Sequence, residues 1–287
     1  MLKIAWSDIY AHPLPRGHRF PMSKYELLPE QLLYEGTITQ DNLFTPNYCP
    51  EEYITVTHCS DYWERLKEGE LTRKEIRRTG FPFSFQLILR EVSIMEGTRQ
   101  AAKYALEDGI AMNIAGGTHH AFTNMGEGFC LLNDDAISAR HLLNARRVSR
   151  VLIIDLDVHQ GNGTAEIFRN EERVFTFSMH GGKNFPYHKQ TSDWDIPLAD
   201  HTDDRPYLAI LQEALPRLLD RVEPDIVFYL PGADVLASDK LGRLDVTIQG
   251  ARERDRMVME QCKKDDLPIV ISMGGGYSER IADIIEA

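Results

Sequence analysis

Cysteine is scarce in this chain of 287 residues. Cys49, Cys59, Cys130 and Cys262 stand far apart, with no C-x-x-C pair. That argues against a disulfide framework and fits reduced thiols. Long apolar runs are missing too: none approaches the ~20 residues needed to cross a bilayer, so no membrane partner is expected. The opening MLKIAWSDIY has neither the apolar core nor the small-residue cleavage site of a signal peptide, and the expectation is a cytoplasmic protein. Positive charge is in deficit. A net charge of −12 argues against direct nucleic-acid binding and mildly favours cationic ligands, though its commonest meaning is solubility. No internal repeat, low-complexity tract or linker divides the chain, which reads as one domain over residues 1–287. The glycine-rich stretches lack the G-x-x-x-x-G-K-[ST] pattern. GGT and GGGY do not fit G-x-G-x-x-G with its later acidic partner, so a nucleotide site is not expected.

What is present is an alternation of short apolar runs with longer amphipathic ones. Hydrophobic residues make up 43% of the chain and charged residues 26%, enough of each for an ordinary globular core and surface. Strands are predicted at Leu2–Trp6, Tyr53–His58, Ile110–Ala115, Val151–Val158, Arg173–Met179, Asp225–Leu230 and Pro268–Met273. Helices are predicted at Phe85–Asp108, Asp134–Ala145, Pro206–Val222 and Ile248–Lys264. The first of these has Ile88, Val92, Met95, Ala102 and Leu106 on one stripe and Gly109 as its stop. Alternating strands and helices with unbroken apolar strands predict an α/β fold: a parallel sheet covered on both faces by helices. The stretch from His180 to His201 reads as a loop, with His201 and Asp245 at the surface.

In such a sheet, ligands bind beyond the carboxyl ends of the strands. Five strand ends here deliver glycines together with metal-binding or proton-transfer groups. They are GGTHHA with His119 and His120; DLDVHQGNG with Asp155, Asp157 and His159; HGG with His180; PGAD with Asp234; and GGGY with Tyr277. In a continued strand, Asp155, Asp157 and His159 would share one face. Two carboxylates and an imidazole there read either as a solvated strand end or as a divalent metal site, because carboxylates in a poorly solvated site cannot both stay ionised cheaply without a cation between them. A mononuclear zinc site takes three protein ligands and keeps a fourth position for water. Spacing alone does not choose the three from Asp155, Asp157, His159, Asp234, His119, His120 and His180. Tyr277, after three glycines, is placed to donate a hydrogen bond into the same cavity.

Taken together, GGTHHA, GFCLLND, DLDVHQGNG, PGAD and GGGY, with the early HPLPRGHRFPMSKY, resemble the histone deacetylase family of arginase-like zinc amidohydrolases. The pieces occur in the family's order and span nearly the whole chain. GHRFPM, DLDVHQGNG and ADVLASDKLGRL are most similar to class IV members and their bacterial relatives. The resemblance implies Asp157, His159 and Asp234 as metal ligands, for zinc or for Fe²⁺, which tolerates the same donors. It implies His119 and His120 as the tandem catalytic histidines, Tyr277 as the transition-state tyrosine, and Asp155 as the carboxylate behind His119. It implies a structural K⁺ held by the backbone of Asp155, Asp157, His159 and Met179 and by the Ser178 hydroxyl. Gly128 and Phe129 match one tunnel wall and Phe185 the facing wall, with Gly275 a further substrate contact. Arg19 matches an arginine near an internal exit channel. Cys130, in the GFC motif, reads as a packing residue. One position departs from the better-known classes: Asn162 stands where they place an aspartate behind the second histidine. An amide orients an imidazole without stabilising its charged form, so His120 is expected to be the less basic of the pair. The implied activity is hydrolysis of N-ε-acyl-lysine, acetyl or longer, in proteins or peptides. The rival readings are an amidohydrolase of acylated polyamines or small metabolites, and a non-catalytic acyl-lysine binding module.

Overall fold

The computed structural model describes residues 1–287. In chain order the elements are β1 (Lys3–Ala5), α1 (Lys24–Tyr34), β2 (Leu43–Phe44), α2 (Glu51–Thr55), α3 (Ser60–Lys67), α4 (Arg73–Thr79), α5 (Phe85–Asp108), β3 (Ile110–Asn113) and α6 (Asp134–Asn144). They continue as β4 (Val151–Asp155), α7 (Asn162–Phe168), β5 (Val174–Gly181), β6 (Trp194–Leu198), α8 (Asp204–Val222), β7 (Ile226–Leu230), α9 (Ile248–Lys264), β8 (Ile269–Ile271) and α10 (Ile281–Glu286). The eight strands form one sheet in the order β2-β1-β3-β8-β7-β4-β5-β6. Every pairing is parallel.

The strands are apolar throughout because both faces are covered, and the pleat divides them. Leu152 and Ile154 of β4, with Val227 and Tyr229 of β7, face a core completed by α8 and α9. Val151, Ile153, Ile226 and Phe228 face the opposite core, built on Ala101, Ala102 and Ala105 of α5 and Leu142 and Leu143 of α6. Leu211, Leu215, Leu218 and Leu219 bury one side of α8, each contributing roughly 1.5–3 kcal/mol relative to exposure. A third core packs α1 to α4 and the start of α5 against the loops that follow the strands.

Helix α5 matches its expected span. The Ser84 hydroxyl accepts from the Leu87 N–H at 3.0 Å, and Gly109 ends the helix at φ 86°. Tyr53–His58 is not a strand. Pro50 stands at the N-cap, Glu51 and Glu52 occupy the first turn, and the segment is the short helix α2 followed by a turn. Its β-branched run reads as a strand, but Pro50 and the acidic first turn favour a helix start. The His180–His201 stretch is not all loop either, since it contains the edge strand β6. Pro197 is tolerated there because β6 pairs on one side only, with β5.

Candidate metal centre and active-site cleft

The order of the middle strands brings the chemistry together. β3, β8, β7 and β4 are neighbours, so the segments after them, carrying His119 and His120, Tyr277, Asp234, and Asp157 and His159, leave one edge side by side. Strand β4 ends at Asp155, not at Val158. Asp155, Asp157 and His159 are therefore gathered by tight turns, not by the pleat. The Asp155 carboxylate accepts the Asp157 N–H at 3.1 Å, and the Asp157 carboxylate accepts the His159 N–H at 2.9 Å.

Asp157, His159 and Asp234 form a buried group whose donor atoms lie within 4.8 Å of one another. The His159 Nδ1 is 3.0 Å from both Asp157 Oδ1 and Asp234 Oδ2. No Lys or Arg nitrogen comes within 4.0 Å of either carboxylate, though both are buried. Burial and the neighbouring Asp157 push the Asp234 carboxyl up to about 7. Burial works against a charged His159, but Asp234 and Asp157 outweigh it and raise the imidazole to about 10. Two oxygen donors and one nitrogen donor under this charge pressure fit a first-row divalent ion.

Two further bonds shape the group. The Gly275 N–H donates to Asp157 Oδ2 at 2.8 Å, and the Val158 N–H donates to Asp234 Oδ1 at 2.9 Å. A Cβ on Gly275 would stand 2.1 Å from Asp234 Oδ2 and 2.6 Å from Asp157 Oδ2, so only glycine leaves both carboxylates in place. Arg254, fully buried on α9, holds the loop of Asp234 by donating to the Gly232 carbonyl at 2.7 Å.

His119 and His120 lie beside the group with ring centroids 4.1 Å apart and their planes tilted by 43°. His119 Nδ1 is 2.7 Å from Asp155 Oδ2. Burial alone would lower His119, but Asp155 and Asp157 raise it to about 9. His120 Nδ1 is 2.7 Å from Asn162 Oδ1. The Asn162 amide is oriented by its other bonds: its Nδ2 donates to Glu127 at 2.9 Å, and the Gly163 N–H donates to its oxygen at 3.1 Å. His120 Nδ1–H must therefore be the donor, which leaves Nε2 bare. Burial, then the charges of His119 and His159, lower His120 well below the ordinary histidine range. His120 is thus the less basic of the pair, while the Asn162 hydrogen bond itself acts upward and is outweighed by burial and the two charges.

The rings of Phe129, Phe185, His120, His159 and Tyr277 line one cleft of about 510 Å³. Phe185 meets His120 edge-on at 5.0 Å, and Phe129 lies 5.7 Å from Tyr277. Gly128 adopts φ 55°, and a Cβ there would stand 2.7 Å from the His120 ring, so the wall closes directly on that histidine. A second cavity of about 30 Å³ adjoins the group, sharing His120, Gly128, Phe129, His159 and Tyr277 with the cleft and lined further in by Gly274, Gly275, Tyr25 and Arg90.

Not every sequence-derived residue joins this constellation. Arg19 is exposed, with its guanidinium 5.8 Å from the Phe129 ring at the outer cleft. It does not line the inner cavity; the buried arginine there is Arg90. Gly17, at φ 81°, turns the chain two residues before Arg19, which a motif match cannot report. His180 is buried at the end of β5, 2.9 Å from the Ser178 hydroxyl, outside the metal group. Ser178 lies opposite Asp155 in the β4–β5 register, and Met179 is fully buried beside it. His201 and Asp245 are exposed and pair at 3.1 Å. All four cysteines are free, and Cys130 is buried. Sequence reasoning missed Glu127, Arg254, Lys24 and Asp239. Asp239 accepts the Tyr277 N–H at 2.6 Å, and the buried Lys24 donates to the Gly274 carbonyl at 3.2 Å. The only signal for either was its place inside a quoted motif, SKY or ASDK.

A family model described as the histone deacetylase domain matches residues 18–286. An uncharacterized protein of Picosynechococcus sp. is 44% identical over 282 residues, covering 98% of this chain and 94% of its own length. Histone deacetylase 2 of Arabidopsis thaliana is 30% identical over 288 residues, covering 97% of this chain and 74% of its own. Among solved structures, an HDAC homologue complexed with SAHA superposes with a TM-score of 0.85 at 23% identity, covering 99% of this chain and 81% of that one. An HDAC homologue from Aquifex aeolicus gives 0.83, also at 23%, covering 99% and 82%. The parallel sheet with its site at one edge is thus an arginase-like deacetylase fold. The chain belongs to the histone deacetylase family, and with it to the deacetylase-type hydrolases.

Proposed function

We propose that this chain is a zinc-dependent deacylase that hydrolyses the amide of N-ε-acetyl-lysine in proteins or peptides. The observation that carries the reading is the meeting, at the floor of one cleft, of Asp157, His159 and Asp234 with the His119–His120 pair and Tyr277. Asp157, His159 and Asp234 would hold the zinc, and Fe²⁺ suits the same donors. When bound, the ion supplies a Lewis acid for the amide carbonyl and lowers the pKa of an adjacent water to about 7.

The chain's own groups do the rest. The bare Nε2 of His120 takes the proton of the attacking water. The water oxygen bonds to the carbonyl carbon, and the Tyr277 hydroxyl donates to the oxyanion that develops there. His119, held by Asp155, keeps positive charge close to that oxyanion. The C–N bond then breaks, the proton carried by His120 passes to the leaving lysine amine, and the acyl group leaves as its carboxylic acid, which loses its remaining proton to solvent to become a carboxylate. Asn162, braced by Glu127, keeps His120 in register. Gly128, Phe129 and Phe185 enclose the lysine methylenes, and Gly275 closes the floor. K⁺ on the main chain of Asp155, Asp157, His159 and Met179 and on the Ser178 hydroxyl belongs to the same reading as a structural ion. The β4–β5 register supports it by setting Asp155 opposite Ser178. The likeness to class IV members rests on GHRFPM, DLDVHQGNG and ADVLASDKLGRL and is part of this proposal.

The inner cavity favours a short acyl group. About 30 Å³ is room for roughly two waters, or a methyl group, not an alkyl chain. On one lysine peptide carrying acetyl, butyryl, octanoyl or myristoyl groups, kcat/KM is expected to be highest for acetyl and at least ~10-fold lower for octanoyl. A maximum at octanoyl or myristoyl would refute the short-acyl assignment. Gly275→Ala is expected to weaken zinc binding by roughly 10–100-fold, read by competition with a chelating dye, because its methyl group displaces both carboxylates. An unchanged affinity would free Gly275 from that role.

A further inference from the structure

The mouth of the cleft has the opposite sign to the rest of the molecule. Six cations line it: Arg19, Arg77, Arg78, Lys183, Lys240 and Arg243. The one carboxylate in the lining is Glu127, and it is engaged by the Asn162 amide at 2.9 Å. Outside the lining, Asp200 takes Lys183 at 3.7 Å and Arg243 at 3.3 Å. Arg19, Arg77, Arg78 and Lys240 have no carboxylate within 4.0 Å. Arg77 and Arg78 sit in the last turn of α4, where a helix dipole favours cations. That reason does not reach the other four, which come from three separate loops: Arg19 before α1, Lys183 after β5, and Lys240 and Arg243 together before α9. In a chain of net charge −12, a local surplus gathered from four segments focuses an anionic ligand on this opening.

We propose that this mouth selects acyl-lysine substrates whose flanking residues are acidic, and repels lysine-rich tails and acylated polyamines. The inference rests on the deacylase reading above and names its substrate class. An acyl-lysine side chain that reaches the floor of the cleft leaves its own main chain at the rim. Residues one or two places to either side then lie among these arginines and lysines. Charge complementarity at a rim acts chiefly on encounter and on discrimination between partners, and it is screened by salt. The overall acidic charge, which on its own suited a polyamine, is therefore a poor guide to the opening.

Three peptides with one central acetyl-lysine test this, with acidic, neutral or basic flanks and N-acetylspermidine alongside. For each, kcat/KM is measured with the zinc-loaded protein, and binding by fluorescence anisotropy with both the loaded and the stripped protein. At roughly 10 mM ionic strength, the acidic peptide is expected to exceed the basic one by about tenfold in both readouts. The difference should shrink to within about twofold near 1 M, where the Debye length has fallen from about 30 to about 3 Å. The double charge reversal R77E/K240E should erase or invert the order, judged as the acidic-to-basic ratio within each protein. Equal rates and affinities for the three peptides, a preference for basic flanks, or turnover of acetylspermidine above the acidic peptide would overturn the proposal. If no peptide is cleaved, the deacylase reading fails, and the anisotropy ratios still decide the charge preference of the mouth.

Discussion

Asp234→Asn is expected to abolish stoichiometric zinc binding and to lower kcat/KM on an acetyl-lysine peptide by on the order of 10³-fold or more. The size follows from losing several kcal/mol of charge stabilisation at 1.36 kcal/mol per factor of ten. The amide keeps an oxygen for the Val158 N–H, which Asp234 Oδ1 accepts at 2.9 Å, so the loop after β7 has a reason to hold its shape. It also brings no second negative charge beside Asp157. The metal-free variant is therefore expected to melt no lower than the metal-free parent. Zinc should raise the Tm of the parent alone, since only a folded site that binds the ion is stabilised by it. A variant that still holds one zinc per chain would remove Asp234 from the ligand set.

Tyr277→Phe is expected to lower kcat by at least ~10²-fold, the usual scale for one oxyanion donor, with metal content and Tm unchanged. The ring is held from several sides. The Tyr277 backbone N–H donates to Asp239 at 2.6 Å, the ring lies 6.1 Å from Phe20 and 5.7 Å from Phe129, and the Lys24 ammonium stands 5.9 Å from its centroid. Phenylalanine keeps every one of those contacts and loses only the hydroxyl. The effect should therefore fall on kcat, with KM changed by no more than about threefold. A loss of only two- or threefold in kcat would take Tyr277 out of transition-state stabilisation.

The sheet and the gathering of the candidate residues at one of its edges were readable for the same physical reason. Unbroken apolar strands such as Val151–Ile154 can only be buried on both faces, and their carboxyl ends then share an edge. The candidate metal group could not be chosen by spacing because Asp157 and His159 are gathered by side-chain-to-backbone turns beyond the end of β4, and Asp234 arrives from another strand. Only the motif resemblance selected them. Tyr53–His58 misled because β-branched residues can sit in a short helix when a proline and two glutamates start it. Arg19 misled because a motif match carries no information about which way a loop turns. Glu127 was invisible because its effect on His120 passes through Asn162, and no pattern in one sequence encodes a bond at one remove. The charge of the mouth was hidden for a similar reason. Its six cations come from segments as far apart as Arg19 and Arg243, and their sum appears only once the chain has folded.

The most direct test of the central claim is the release of acetate and free lysine amine from an acetyl-lysine peptide, measured for the zinc-loaded and the zinc-stripped protein side by side. The account predicts equimolar acetate and amine from the loaded protein, loss of turnover on stripping, and its return when zinc is restored. Full zinc occupancy with the peptide bound and uncleaved would contradict it and leave the cleft as an acyl-lysine binding site without chemistry.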